Sequence, residues 1–273
     1  MRPLNRKNYA ANTISRHLKA LLKEKNGVLS SDDIEYLHRM RVASRRLSNS
    51  LWTFHELIPE RNYKTLRLMF GKITKSLGKA RDLDTYITFL VNTAKLPGFT
   101  RFSPKINSLI LKAKKERLQL KKVVSQAMID LGKGVDLPIL ENLPRKNLQA
   151  FARKKILRRL KKLLLFREYA KYPHKYKKLH CLRIAAKHLR YTLENFDELY
   201  DGRLKPYIGK IHLLQDYLGD MHNYNVWGKF NRNDLLQEYC RNLYCKSYDL
   251  FYREWKKQER FKTWNNLKML IKG

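Results

Sequence analysis

The stretch Leu37–Leu47, LHRMRVASRRL, decides the fold by its spacing. At 100° per residue, Met40, Ala43 and Leu47, continued by Leu51 and Phe54, fall within an arc of about 80°, while His38, Arg41 and Arg45 fall on the opposite side. A helix built this way has one face for a core and one face of positive charge. The stretch Leu179–Leu189, LHCLRIAAKHL, repeats the pattern: Leu182, Ala185, Leu189, Leu193 and Phe196 make the same arc, and His180, Arg183 and Lys187 the same stripe.

The repetition extends outward. A shift of 142 also pairs Arg16 with Arg158, Leu18 with Leu160, Lys19 with Lys161 and Leu21 with Leu163. With a slip of one, Leu77-Gly78 falls on Leu218-Gly219, and KARDLD on DMHNYN. Matches at a near-constant offset point to duplication of a four-helix unit. Few Pro and Gly, no alternating strand runs and long Leu, Lys, Arg and Ala-rich segments predict an all-α chain. The expected helices are 8–25, 31–57, 61–93, 104–131, 144–171, 175–199, 204–230 and 233–270, the last with a break. Two Gly and two Pro within Gly132–Pro144 mark a boundary, giving bundles at 1–131 and 145–273 joined by a linker at 132–144.

Other helices carry the same division of faces. Arg145–Lys171 holds eleven Lys or Arg against the single acid Glu168. Ile156, Leu157, Leu160, Leu163 and Leu164 gather on one side, and Arg158, Arg159, Lys161 and Lys162 on the other. Lys72, Lys75 and Lys79 oppose Leu66, Phe70, Ile73 and Leu77. The second copy lacks this last stripe, with Leu213, Asp216 and Asp220 near the equivalent places.

Across 273 residues, 59 Lys and Arg face 24 Asp and Glu, a formal net charge of +35, while 43% of residues are apolar. Crowding so many like charges costs self-repulsion that a polyanionic partner relieves. A solvated outer face accounts for any one basic stripe, but several stripes, two of them duplicated, favour a shared site. Arginine supports this, because its planar fork matches phosphate oxygens two at a time. A histidine beside two cations is disfavoured in its charged form until an anion arrives. Cys181, Cys240 and Cys245 form no CxxC and no even framework, as expected of a reducing cytoplasm. No apolar run approaches the ~20 residues of a membrane span, so membrane insertion is not expected.

Placed chemistry for an enzyme is missing. The eight histidines include no HExxH, and there is no GxxxxGK[ST] loop or GxSxG elbow. The chain is therefore read as non-catalytic, with no catalytic residues, metal or cofactor. Asp82 and Asp84 in KARDLD either hold a metal or orient neighbouring Arg and Lys, the second reading being favoured. Nucleic acid is the rival ligand, since basic helices with 16 Tyr and 4 Trp can hold phosphates and stack bases. Against it, Phe54, Phe70, Phe196 and the Tyr244/Tyr248/Phe251/Tyr252/Trp255 run fall where packing wants them. Trp52 lies near the first stripe, and its counterpart is Glu194.

The segments HRMRVASRRL with LWTF, LGKARDLD, LHCLRIAAKHLRYTLENF and LLQDYLGDMHNYNVW, in this order, resemble the CHAD family, the conserved histidine α-helical domain. The resemblance implies two four-helix bundles related by a pseudo-twofold, with a basic central groove that binds inorganic polyphosphate. It assigns binding to His38, Arg41, Arg45 and Arg46 in the first copy and to His180, Arg183, Lys187 and Arg190 in the second. Lys72, Lys79 and Arg81, with Arg16, Lys19, Arg158 and Lys161, extend the expected track. His188 stands where the first copy has Arg46, and Ser48 where the second has Arg190. No ExExK signature of the CYTH triphosphate-tunnel domain occurs, so a stand-alone member is expected. The thiols and the lack of an apolar leader or span make the cytoplasm the expected location, and association with polyphosphate granules fits the ligand that the resemblance implies, as do shielding of the polymer and regulation of its metabolism.

Overall fold

The computed structural model describes residues 9–31, 33–131, 145–230 and 234–272. They form helices without a strand, and the chain divides into two compact units, Met1–Asn142 and Leu143–Gly273. The expected linker at 132–144 lies outside the described residues.

The first unit contains α1 (Tyr9–Lys23), α2 (Lys25–Ser30), α3 (Ile34–Thr53), α4 (Glu60–Ala94) and α5 (Ser103–Leu131). The expected helix over 31–57 is shorter at both ends. Ser31 is extended, and its hydroxyl accepts the Asp33 N–H at 3.1 Å. The Asp33 carboxylate then accepts the Glu35 N–H at 2.9 Å, so the side chains that compete with helical hydrogen bonds begin α3 at Ile34. Beyond Thr53 a 3-10 turn at His55–Leu57 leads into Pro59, which precedes α4. At 35 residues α4 is about 50 Å long and backs both α3 and α5.

The second unit contains α6 (Arg145–Leu164), α7 (Tyr176–Phe196), α8 (Lys205–Phe230), α9 (Asp234–Arg260) and α10 (Thr263–Lys272). The expected helix over 144–171 stops at Leu164 and continues as a 3-10 turn over Arg167–Lys171. Tyr248 and Tyr244 of α9 donate their hydroxyls to the carbonyls of Ala170 and Pro173, at 3.1 and 2.6 Å. Acceptors outside the helical ladder are thereby satisfied. The break expected within 233–270 falls at Lys262, whose φ of 48° ends α9. In addition, Arg153 of α6 donates from Nε to the carbonyl of Ile271 at 3.2 Å, tying down the end of α10.

The apolar arcs read from the sequence are the core. Met40, Leu47 and Phe54 are fully buried, as are Leu182, Leu189 and Phe196. Tyr9 meets Phe54 edge-to-face at 6.3 Å and 69°, while Phe151 meets Phe196 at 6.4 Å and 72°. Positions 9 and 151, like 54 and 196, are separated by 142. Ile14, Leu18 and Leu21 are buried, as are Ile156, Leu160 and Leu163 at the same offset. Leu157 and Leu164 are only half-buried, and Lys155 takes the inner place beside Ile156, 1% exposed with its ammonium 4.9 Å from the Phe151 ring centre. A lysine at that depth keeps its stem among apolar neighbours and its charge against an aromatic face.

Gly27 holds α2 against α3, because a Cβ there would overlap the ring of Tyr36. The same ring carries the Arg39 guanidinium at 4.6 Å, and Arg39 donates to the largely buried Glu24 at 2.9 Å. Ala is ordinarily the better helix former, but Gly27→Ala is expected to destabilise the protein by about 1–3 kcal/mol through overpacking. Thermal unfolding of the variant checks this; an unchanged or raised Tm would show that Tyr36 swings aside at no cost.

Candidate anion-binding sites

In each unit the histidine helix lies along the helix that carries the Leu-Gly pair. α3 packs on α4 with Ser48 and Thr74 hydroxyls 3.1 Å apart, and α7 packs on α8. Because the core arc faces inward, the basic residues stand at the margin of each helix pair, half-buried rather than fully solvated. His38, Arg41, Arg45 and Arg46 are all of this kind, and so are His180, Arg183 and Lys187.

In the first unit Arg41 donates from Nη2 to Asp82 Oδ1 at 3.0 Å. The Arg41 side chain is 16% exposed and that of Asp82 74%. The carboxylate thus holds the guanidinium from the solvent side. Arg81 approaches His38 from α4. Burial, and then the Arg81 charge, push the His38 imidazole below its ordinary pKa, with Arg41 and Arg39 adding to the effect and Glu35 opposing it. Asp84 accepts from Arg117 Nε at 2.7 Å. Asp82 and Asp84 therefore orient arginines, as the favoured reading expected, and among the described residues no group of three or more His, Cys, Asp or Glu side chains converges to hold a metal ion.

In the second unit His222 takes the place that Arg81 has in the first. Its Nδ1 lies 3.2 Å from Nδ1 of His180, and the rings are 4.5 Å apart. One nitrogen must donate and the other accept, so this contact requires at least one neutral imidazole. Burial, followed by the Arg183 charge, lowers both histidines, His222 to about 4. Arg183 lies against α8 at Gly219, where even a Cβ would make only an ordinary contact, 3.7 Å from the guanidinium Nε. Further along α7, His188 is lowered to about 4 by burial and then by Arg159, Lys187 and Lys162. Arg159 itself is lowered to about 10 by burial and by Arg158, so it remains a cation at neutral pH.

Other expected contributors stand apart from this pattern. Arg16, Lys19, Lys72, Lys79, Arg158 and Lys161 are exposed on α1, α4 and α6, as ordinary solvated cations are. Arg190 is not an accessible cation: it is 7% exposed, stacks 4.8 Å over the Tyr191 ring and has its Nε 3.4 Å from Glu194. Glu194 stands 142 residues after Trp52, and the pairing explains why the second unit can bury an arginine where the first has Ser48. Sequence reasoning missed His222, and it placed Arg159 on the basic stripe of α6 without seeing that it comes beside His188. The slipped register that sets KARDLD against DMHNYN contains the signal for the first, because Arg81 and His222 coincide there.

The comparisons with known proteins bear on these paired helices. The family model described as the CHAD domain matches residues 12–232. The chain belongs to the CHAD domain family. Among solved structures, this CHAD protein is similar to the CHAD domain from the plant Ricinus communis, with 18% identity, a TM-score of 0.57 and coverage of 98% of this chain and 92% of that one. It is also similar to PptA from Streptomyces chartreusis, with 12% identity, a TM-score of 0.59 and coverage of 92% and 99%. At these identities the likeness is one of fold. No curated protein matches the chain. No helix among the described residues is long and apolar enough to cross a membrane.

The lowered histidines fix a pH dependence. Between about 6.5 and 4 the unfolded chain takes up protons at these positions that the native state refuses, so stability should fall as pH drops through that window. An anion seated beside His180 and His222 reverses the preference and should raise their pKa. NMR titration of the imidazoles with and without a polyanion checks both points. Ordinary values near 6.5 in the free protein would contradict the burial that the structure gives them.

Proposed function

We propose that this protein binds inorganic polyphosphate, without catalysing its turnover, through the basic faces of α3–α4 and α7–α8. The observation that carries the reading is the paired arrangement just described: in each unit a histidine whose pKa is lowered by burial and by nearby cations stands beside an arginine, Arg41 held by Asp82 and Arg183 against α8 at Gly219. Cations fixed before the ligand arrives lose less side-chain entropy on binding than free surface lysines do. A phosphate chain has no bases, so charge and spacing are all that a site needs to read. Arg41 and Arg45 in the first unit, and Arg183 and Lys187 in the second, supply charge-assisted hydrogen bonds to phosphates, with the exposed Arg16 extending the first face and Arg158 and Lys161 the second. Membership of the CHAD family supports the ligand class, and the recurrence of the aromatic pair at an offset of 142 supports a duplicated unit. Location in the cytoplasm, or on polyphosphate granules, is part of the same proposal.

Nucleic acid remains the competing ligand for such faces, but the aromatic residues speak for the bare phosphate chain. Phe54, Phe70, Phe196, Tyr244, Phe251 and Trp255 are buried, and Trp52 is half-buried with its ring stacked on His55 at 6.1 Å. Tyr248 and Tyr252 are only half-buried and stack on each other at 5.9 Å, and Tyr172, Tyr176 and Phe261 are exposed, so any platform for stacking bases is limited to these few rings.

Two measurements test the proposal. In a competition titration at physiological salt, long-chain polyphosphate should hold against single-stranded RNA and duplex DNA, and its affinity should fall about a hundredfold or more between 50 and 200 mM salt if several phosphates are neutralised. Ready displacement by RNA, or affinity indifferent to salt, would sink it. Arg41→Ala and Arg183→Ala should each weaken binding about tenfold, the worth of one charge-assisted hydrogen bond. Because the Arg41–Asp82 pair is solvent-facing, Arg41→Ala should leave Tm within a few degrees of the parent.

A further inference from the structure

α5 carries a row of large apolar side chains that the core does not use. Leu111, Leu118 and Ile129 are 68%, 65% and 50% exposed. At 100° per residue they fall on one line within about 20°, and the line runs about 27 Å along the helix. The residues that α5 buries, Ile106, Ile110, Ala113, Val124 and Met128, face about 120° away, so the row is not the fringe of the packed face. Single exposed leucines are ordinary on a protein surface, whereas three in register on one helix make a strip.

Lysines border the strip on both sides. Lys115 and Lys122, both exposed, stand about 20–40° to one side of the row. Lys114, exposed, and Lys121, half-buried, stand about 60–80° to the other. Glu116 is set about 140° around the helix from the row. A lysine so placed lays its stem along apolar neighbours and carries its ammonium beyond them. The strip therefore presents leucine and isoleucine at its centre and positive charge along both edges.

This chemistry selects the occupant. A phosphate chain or a nucleic-acid backbone would leave the apolar row bare. A second copy of the chain, strip against strip, would bring lysine edges onto lysine edges. An acidic helix needs a groove for its apolar face, and the groove that Leu118 borders, lined by Val28, Leu37 and Val124, also holds the carboxylates of Asp33 and Asp84. A lipid surface is flat enough to meet a straight ridge along its length, takes leucine among its acyl chains and offers phosphates to the ammonium groups. No helix among the described residues is long and apolar enough to cross a bilayer, so the contact is with one leaflet.

We propose that the outer row of α5 docks the protein on an anionic lipid surface, with Leu111, Leu118 and Ile129 entering the headgroup boundary and the bordering lysines meeting lipid phosphates. The surface belongs to α5 rather than to the basic faces of α3–α4 and α7–α8, and the inference stands independently of the polyphosphate reading.

The test is flotation of the full chain with phosphatidylcholine vesicles, with and without about 30% phosphatidylglycerol. The parent should float with the anionic vesicles and not with the neutral ones. Because a chain of formal charge +35 is drawn to any anionic surface, the decisive comparison removes no charge. Leu111→Ser combined with Leu118→Ser should weaken binding about tenfold or more, by withdrawing apolar area from the bilayer. The same exchange at Leu165 and Met269, 64% and 69% exposed in the second unit, should leave binding unchanged. All four positions are on the surface, so folding is retained, and thermal unfolding reads this directly. Polyphosphate titration of the Leu111→Ser, Leu118→Ser chain separates the two readings, because its affinity should match the parent's whatever that value is. Failure of the parent to bind anionic vesicles, equal binding to neutral ones, full binding by the Leu111→Ser, Leu118→Ser chain, or an equal loss from the exchanges at Leu165 and Met269 would each overturn the proposal. So would a dimer of the parent that the Leu111→Ser and Leu118→Ser exchanges dissolve, since a second copy would then cover the row.

Discussion

Mutual repulsion among the cations is the constraint on which the rest of the structure depends. A chain with a formal charge of +35 cannot distribute Lys and Arg evenly and still close a core. The amphipathic helix resolves this locally, by giving α3 and α7 an apolar arc of about 80° and leaving the remainder for charge. Each unit's long helices then pack by the same rule, and the charged margins lie along α3–α4 and α7–α8. The basic margins are thus a by-product of how the core is protected from charge.

Within that frame the acidic residues, though few, do specific jobs. Asp82 steers Arg41 from the solvent side, Asp84 anchors Arg117, Glu24 holds Arg39, and Glu194 accompanies the buried Arg190. Each fixes an arginine, whose delocalised and weakly hydrated charge tolerates partial burial better than an ammonium does. The lysines, apart from Lys155, mostly remain solvated. This separation turns a uniformly basic composition into a few ordered guanidinium groups against a background of mobile charge.

Much of this was legible in the sequence. The period of Met40, Ala43, Leu47, Leu51 and Phe54 announced both the helix and its buried side, and the structure buries all five. Helix ends were less legible, because they depend on side-chain hydrogen bonds such as those of Ser31 and Asp33 that compete locally with the helix. Depth was least legible. Periodicity puts Arg190 on the same stripe as Arg183, yet its burial is set by Glu194, a turn along α7, and by the ring of Tyr191.

The exchange of Arg81 for His222 at matched places makes the two units unlike in one respect. An arginine keeps its charge at any pH the protein survives, whereas an imidazole beside another imidazole has charge to gain. At this place the first unit carries a fixed charge and the second a titratable one, so acid adds charge there in the second unit and not in the first.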